Sequence, residues 1–257
     1  MKLNQVILGD AIANMRQLPD ASIDALISDP PYGTTALQWD KQIDWATFWG
    51  EAKRVCKPNA TIALFAQQPF ATTLIMSNRK DFRYEIVWEK PLAMGFMDSK
   101  IRPLRCHELI LIFCEKFRGK TPGTRATYNP QKTPGKPYKA KQRGACQHYR
   151  LHKTNNTDNH GDRFPRDVLK FNNVTRSWDK TAFHPTQKPI DLLTWLVLTY
   201  TNPGNVVLDP FSGSGTTAVA CLERGRYFIG VEKDPHYHAL SLQRIERARE
   251  SQDVVAS

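Results

Sequence analysis

Three short segments of this 257-residue chain carry residue types spaced for chemistry rather than for packing alone. Asp29 follows the apolar run 22–28 and is followed in turn by Pro30, Pro31, Tyr32 and Gly33. Two prolines stop regular pairing there, so the run reads as a buried strand entering a turn with a carboxylate at its end. Pro31 restricts Pro30 to extended backbone and so fixes the direction of the Pro30 carbonyl. The second segment, 209–217, reads Asp-Pro-Phe-Ser-Gly-Ser-Gly-Thr-Thr. Gly213 and Gly215 let the backbone approach a ligand, and the helix expected after them offers free N–H groups. Glu232 ends the next apolar run, where a carboxylate can accept hydrogen bonds from ribose hydroxyls. The pattern departs from G-x-G-x-x-G, and Asp209 ahead of the glycines would repel a pyrophosphate but suits a cationic amine. The third segment is His-Pro-Thr-Gln-Lys-Pro at 184–189. Asp10, after a short strand, fits a ligand contact and a helix N-cap equally well.

The elements that must position these residues alternate between strand and helix. The spacing predicts a helix over 45–57 ending before Pro58, then strands over 61–65, 84–88 and 109–114. It also predicts a helix over 190–200 that starts at a proline, a strand over 206–208, a helix over 218–224 and a strand over 227–231. This order implies an α/β fold with a doubly wound, mostly parallel sheet and ligands at the carboxyl ends of its strands. Between 117 and 180 periodicity fades and Gly, Pro, Asn, Lys and Arg dominate. The expected organisation is therefore a catalytic domain built from 1–115 and 181–257, interrupted by a basic, loop-rich insertion at 116–180.

Charge sharpens that division. Residues 116–182 hold 16 Lys and Arg against 4 Asp and Glu, whereas the remainder holds 20 against 21, so one segment accounts for the whole net charge of +11. A neutral body with one strongly basic segment is the footprint of polyanion binding, because neutralised phosphates release condensed counterions. Lys136, Lys139, Lys141 and Arg143 form a candidate phosphate-gripping cluster. A hydrophobic content of 40% with 24% charged residues argues against a disordered or fibrous chain. No stretch reaches the length of a membrane span, and the expectation is a soluble, cytoplasmic protein. The five cysteines form no C-x-x-C pair. Cys146, His148, His152 and His160 match no common zinc spacing, so no metal is expected.

A ligand combining a cationic amine and a ribose with no phosphate matches S-adenosylmethionine, and at this point the chain resembles the DNA amino-methyltransferases. DPPYG at 29–33, HPTQKP at 184–189 and DPFSGSGTT at 209–217 stand in an order similar to the β class of that group, catalytic motif first and cofactor loop last. The likeness covers 1–36 and 181–245 well, and the central third only in its position as a target-recognition region. It implies a Rossmann-like methyltransferase fold, S-adenosylmethionine as cofactor, and methyl transfer to N6 of an adenine flipped out of double-stranded DNA. By the same resemblance Asp29 and the Pro30 carbonyl accept the amino hydrogens of the base, Pro31 holds that carbonyl, and Tyr32 stacks on the base. Asp209 takes the methionine amine, while Phe211, Gly213, Ser214, Gly215 and Thr216 shape the pocket. Glu232 takes the ribose, Asp10 lies near the cofactor's adenine ring, His184, Thr186 and Lys188 line the methionine end, and Asp29 is also among the cofactor-binding residues; Lys188 fits a solvent-facing position equally well. The likeness also admits a homodimer and a partner restriction endonuclease. N4 of cytosine is the nearest alternative target; Asp rather than Ser at position 29 favours adenine. A non-catalytic DNA-binding module is the rival from another class, against which the intact Asp29, Tyr32, Gly213, Gly215 and Glu232 stand. No cysteine is needed as a nucleophile.

Overall fold

A computed structural model describes residues 1–33, 43–118, 124–141, 157–174 and 187–256, with side chains described to residue 251. The chain runs through β1 (Gln5–Leu8), α1 (Ala11–Met15), β2 (Ile23–Ser28), α2 (Trp45–Val55), β3 (Cys56–Ala66), α3 (Phe70–Ser77), β4 (Phe82–Met94) and β5 (Arg105–Phe113). Four short strands follow, β6 (Thr133–Pro134), β7 (Tyr138–Ala140), β8 (Thr157–Asn159) and β9 (Asp162–Arg163). The chain then returns through β10 (Val168–Lys170), α4 (Ile190–Tyr200), β11 (Val206–Asp209), α5 (Thr216–Glu223), β12 (Tyr227–Glu232) and α6 (Pro235–Ala256).

One eight-stranded sheet takes the order β1-β12-β11-β2-β3-β5-β4-β10. Its pairs are parallel except where β5 runs against both β3 and β4. Both faces are covered, which is why β2, β3 and β11 read as near-continuous apolar runs rather than as alternating ones. Side chains still alternate between the faces: Leu26 and Leu64 join the core under α1, α2 and α3. Ile27, Ala63 and Phe65 join the core under α4, α5 and α6. From β2 the chain moves outward to β3, and from β11 it moves the other way to β12. The crossovers therefore reverse between β11 and β2, and a crevice at the carboxyl ends of these two strands is the expected ligand position.

Three local features differ from the sequence expectation. α2 stops at Val55 and β3 begins at Cys56, so Pro58 lies inside a strand. A register shift between Ile23 and Ala25 accommodates it, since a bulge is where a strand proline is tolerated. β10 adds a parallel edge strand to β4 from within the polar, basic stretch. α3 and α6 stand where no helix was expected; α3 includes Thr72 and Thr73, and α6 is polar over most of its length. Residues Pro130–Arg166 form a compact unit of their own, holding β6 paired with β9 and β7 paired with β8. Among the described residues no helix is long and apolar enough to cross a membrane, and no group of three or more His, Cys, Asp or Glu is arranged to hold a metal. Cys146, His148 and His152 lie outside the described residues.

Candidate active site

The reversal point brings the first two chemical segments together. β2 pairs with β11 through Leu26 and Leu208. One step further on, the Ser28 hydroxyl donates to Asp209 Oδ1 at 2.5 Å and accepts from the Phe211 N–H at 3.3 Å. Asp29, the next residue, thus stands beside the start of the glycine loop although 180 positions separate it from Asp209.

Asp29 is held on both oxygens. Its Oδ1 accepts from the Tyr32 hydroxyl at 2.8 Å, and its Oδ2 accepts from Lys188 Nζ at 2.6 Å. The same Lys188 ammonium reaches Glu108 Oε1 at 3.0 Å and lies 4.9 Å from the Phe65 ring centroid. The Tyr32 hydroxyl also lies 2.7 Å from Glu108 Oε1, and Lys90 Nζ closes the cluster at 2.7 Å from Glu108 Oε2. Glu108 is 2% exposed and Asp29 is 25% exposed, so one carboxylate is structural in its surroundings and the other still faces solvent. Burial pushes the Asp29 carboxyl up, and Lys188 opposes that push. Burial also acts to raise Glu108, but the Lys188 and Lys90 ammoniums outweigh it and bring the carboxyl down to about 2. Lys188 is raised: desolvation works against its charge, and the Asp29 and Glu108 carboxylates prevail. A carboxyl group with spare lone pairs and a fixed orientation is what this arrangement offers, since a carboxylate can accept about four hydrogen bonds.

Tyr32 occupies a place the sequence alone does not indicate. Its ring stacks on Phe70 at 4.9 Å with an interplanar angle of 24°. Glu108 and Lys90 escaped sequence reasoning altogether. The only signal was a lone acid at the head of the apolar run Leu109–Phe113 of β5, opposite Trp88 in the β4 pairing.

The glycine loop is shaped by the strand beside it. Gly213 has φ +52 and Gly215 has φ +77, left-handed conformations that favour glycine. A Cβ on Gly213 would meet nothing within 4 Å, whereas one on Gly215 would meet the Ser241 Cβ at 3.0 Å. Gly213 therefore borders open space and Gly215 is packed against α6. Glu232 Oε2 accepts from the Gly213 N–H at 2.7 Å and Oε1 accepts from the Asp234 N–H at 2.8 Å, and burial raises this carboxyl. Asp209 is buried, with its carboxyl pushed up to about 6 by that burial against hydrogen bonds from Ser28, Thr217 and the Phe211 N–H. Arg244 of α6, not foreseen from the sequence, donates to the Ser214 carbonyl, the Ser214 hydroxyl and the Thr216 hydroxyl at 2.8 to 2.9 Å.

The third segment links the two halves. Ser214 Oγ donates to Gln187 Oε1 at 3.2 Å, while the adjacent Lys188 reaches Asp29. His184 and Thr186 lie outside the described residues. Asp10 caps α1, its Oδ1 accepting from the Ala13 N–H at 3.0 Å. Lys136, Lys139 and Lys141 are exposed in the Pro130–Arg166 unit, where Lys139 meets Asp158 at 3.3 Å. Arg143 lies outside the described residues.

Lys188→Met should move the acid limb of turnover to higher pH, because Asp29 would lose the cation that opposes its desolvation. A pH–rate profile checks this, and an unmoved limb would separate Lys188 from the ionisation of Asp29.

A doubly wound sheet with an acid at one strand end and a glycine loop at its neighbour, meeting where the crossovers reverse, is the α/β fold of the class I methyltransferases. A family model described as DNA methylase, covering N6 and N4 methyltransferases, matches residues 23–243, and this chain belongs to that family. It is 28% identical over 270 residues to the DNA adenine methyltransferase YhdJ of Escherichia coli K12, covering 95% of this chain and 83% of that protein. It is 30% identical over 266 residues to the type II methyltransferase M.BglII of Bacillus subtilis, covering 94% and 68%. Among solved structures it resembles the M1.HpyAVI-SAM complex, with a TM-score of 0.63 at 23% identity, covering 94% of this chain and 98% of that one. It also resembles the cytosine-N4-specific PvuII DNA methyltransferase, with a TM-score of 0.67 at 17% identity, covering 97% and 93%.

Proposed function

We propose that this chain is an adenine-specific DNA methyltransferase that takes its methyl group from S-adenosylmethionine and places it on N6 of an adenine flipped out of duplex DNA. The observation that carries the reading is the junction made by Gln187 and Lys188, one touching the glycine loop and the other the Asp29 carboxylate. The residues present fit the cofactor: open space over Gly213, an acid at the end of β12 and an acid at Asp209 suit a ligand with a ribose and a cationic amine. S-Adenosylmethionine supplies an electrophilic methyl on a sulfonium.

An exocyclic amino nitrogen is a poor nucleophile because its lone pair is delocalised into the ring. Asp29 and the Pro30 carbonyl accept the two amino hydrogens, which localises that pair and orients it. Lys188, Tyr32 and Glu108 hold Asp29 in one orientation, so little reorganisation is left for the transfer step. A base inside a duplex is out of reach, and flipping it costs a few kcal/mol, which aromatic contacts at the site offset in part. The name of the YhdJ relative and Asp at position 29 favour adenine over cytosine. The reading also assigns the protein to the cytoplasm, and the M.BglII likeness suggests a restriction-modification setting with a partner endonuclease. A homodimer would show in sedimentation.

The reading is tested by incubating the protein with methyl-labelled S-adenosylmethionine and unmethylated DNA. Label should enter the DNA and stop entering once its sites are modified. Label that enters protein or RNA, with none in DNA, would overturn it.

Two further outcomes follow from the site and from the basic segment. Asp209 carries its charge only above about pH 6, so a cationic amine held there should bind more weakly as the pH falls through that value, by up to about tenfold per pH unit. Calorimetric titration of the cofactor on both sides of that value measures it, and a flat response would put the amine elsewhere. The segment 116–182 should grip phosphates. If about six of its cations do so, log affinity for DNA should fall with log salt at a slope of about −5. Replacing Lys136, Lys139, Lys141 and Arg143 together by alanine should flatten the slope and weaken all sequences alike; unchanged slope and affinity would exclude this cluster from the DNA-binding surface.

A further inference from the structure

The β4–β5 hairpin ends in the most exposed apolar side chains described. Phe96 is 78% exposed, Met97 96% and Ile101 83%. The tip is a turn with its own hydrogen bonds: Gly95, with φ +85, leads the chain into a short 3-10 turn at Phe96–Asp98. Backbone N–H groups of Asp98, Ser99, Ile101 and Arg102 are all paired within the tip. Monomeric proteins seldom display such a group of apolar residues without a use for it.

Its direction is set by the sheet. β4 runs antiparallel to β5, β5 antiparallel to β3, and β3 parallel to β2, so the carboxyl end of β4 lies on the same edge as Ser28 and Asp29. The base of the hairpin is already part of the acidic cluster, since Lys90 and Glu108 belong to β4 and β5. From Lys90 to Met94 the strand can extend at most about 13 Å beyond that cluster. Residues 90–105 carry four Lys or Arg and one Asp. The Asp, Asp98, is paired with Arg102, and Arg105 is held to Gln67 in the loop after β3.

We infer that this hairpin tip is a wedge that enters duplex DNA beside the target base, with Phe96, Met97 and Ile101 occupying space between base steps and Lys100, Arg102 and Arg105 meeting the flanking phosphates. The inference rests on the proposed function, because it needs a base that leaves the stack. Apolar wedges flanked by cations are the chemistry by which proteins unstack a duplex. A second copy of this chain is the poorer occupant. In a twofold interface the same patch faces itself, which would set this positive tip against its own charge. A few side chains at a hairpin end also cover little of the roughly 1,000 Å² that a stable interface needs.

The test compares the parent with a Phe96→Ala, Met97→Ala, Ile101→Ala variant and with the corresponding triple-leucine variant. Methyl transfer is measured on one unmethylated plasmid in relaxed and in negatively supercoiled form, where supercoiling lowers the cost of opening the duplex. The alanine variant should bind S-adenosylmethionine as the parent does and methylate relaxed DNA at least about tenfold more slowly. Its deficit should shrink on supercoiled DNA, and the leucine variant should keep most of the parent's rate. Equal rates for parent and alanine variant on relaxed DNA would overturn the wedge. So would an equal deficit on both DNA forms accompanied by conversion of a dimer to a monomer in sedimentation. A parent that methylates no DNA would contradict the functional reading instead, and the wedge would fall with it.

Discussion

Asp29→Ala is expected to leave S-adenosylmethionine binding nearly intact while lowering turnover by about 10²–10³-fold or more, the range found when one preorganised polar group is removed from a reacting centre. The carboxylate lies at the end of β2 with Oδ1 on Tyr32 and Oδ2 on Lys188. Its removal takes away the acceptor proposed for the amino hydrogens and leaves the Lys188 ammonium with Glu108 alone. That second consequence calls for a companion variant. Asp29→Asn keeps the size and one acceptor oxygen but loses the charge. It should retain the fold and remain far below the parent in turnover, so that the loss is assigned to the carboxylate rather than to a collapsed cluster. Single-turnover methyl transfer together with calorimetric cofactor titration separates the two effects. A folded Asp29→Ala protein that methylates DNA at near-parental rate would remove the acceptor role.

The second large effect is expected at the glycine loop. Gly213→Val combined with Glu232→Ala should weaken S-adenosylmethionine binding by at least about a hundredfold. Hydrogen bonds to a charged group are each worth about 1.5–3 kcal/mol, and about 1.4 kcal/mol is a factor of ten. Gly213 sits at φ +52, where a β-branched residue is strained, and its Cβ would project into space left open above the loop. Glu232 also accepts the Gly213 and Asp234 N–H groups, so its loss frees two backbone donors and loosens the loop itself. Glu232→Gln, which keeps one acceptor oxygen, should fall between the parent and Glu232→Ala. Parental affinity in the double variant would place the cofactor elsewhere.

The β11-α5-β12 unit was legible in the sequence because an apolar run, a glycine loop and a second run follow one another without interruption, and every residue needed to read it is local. The helix at α4 was legible for the same reason, its proline entry and Asn202-Pro203-Gly204 exit both lying in the chain beside it. Glu108 was not legible. Its meaning arises when β5 is laid antiparallel between β3 and β4, which brings in Lys90 from one strand and Lys188 from a segment 80 residues away. Lys188 was read from its motif as lining the methionine end or pointing to solvent; the structure largely buries it with its ammonium on the acid of the first motif, a contact that only the folded sheet creates. Tyr32 shows the same limit. The resemblance gives it the role of stacking on the base; the structure sets Phe70 of α3 against that ring and ties its hydroxyl into the cluster. β10 is three residues long in a stretch rich in Lys and Arg, too short for period-two alternation to register.

The most direct test of a methyl transfer that Asp29 directs to an exocyclic amine is the identity of the modified nucleoside. Unmethylated DNA is incubated with S-adenosylmethionine and either the parent or Asp29→Ala, digested, and its nucleosides are separated by mass. N6-methyl-2′-deoxyadenosine should accumulate with the parent and be almost absent with Asp29→Ala. N4-methyl-2′-deoxycytidine in its place, or equal yields of methylated adenine from the two proteins, would contradict the assignment.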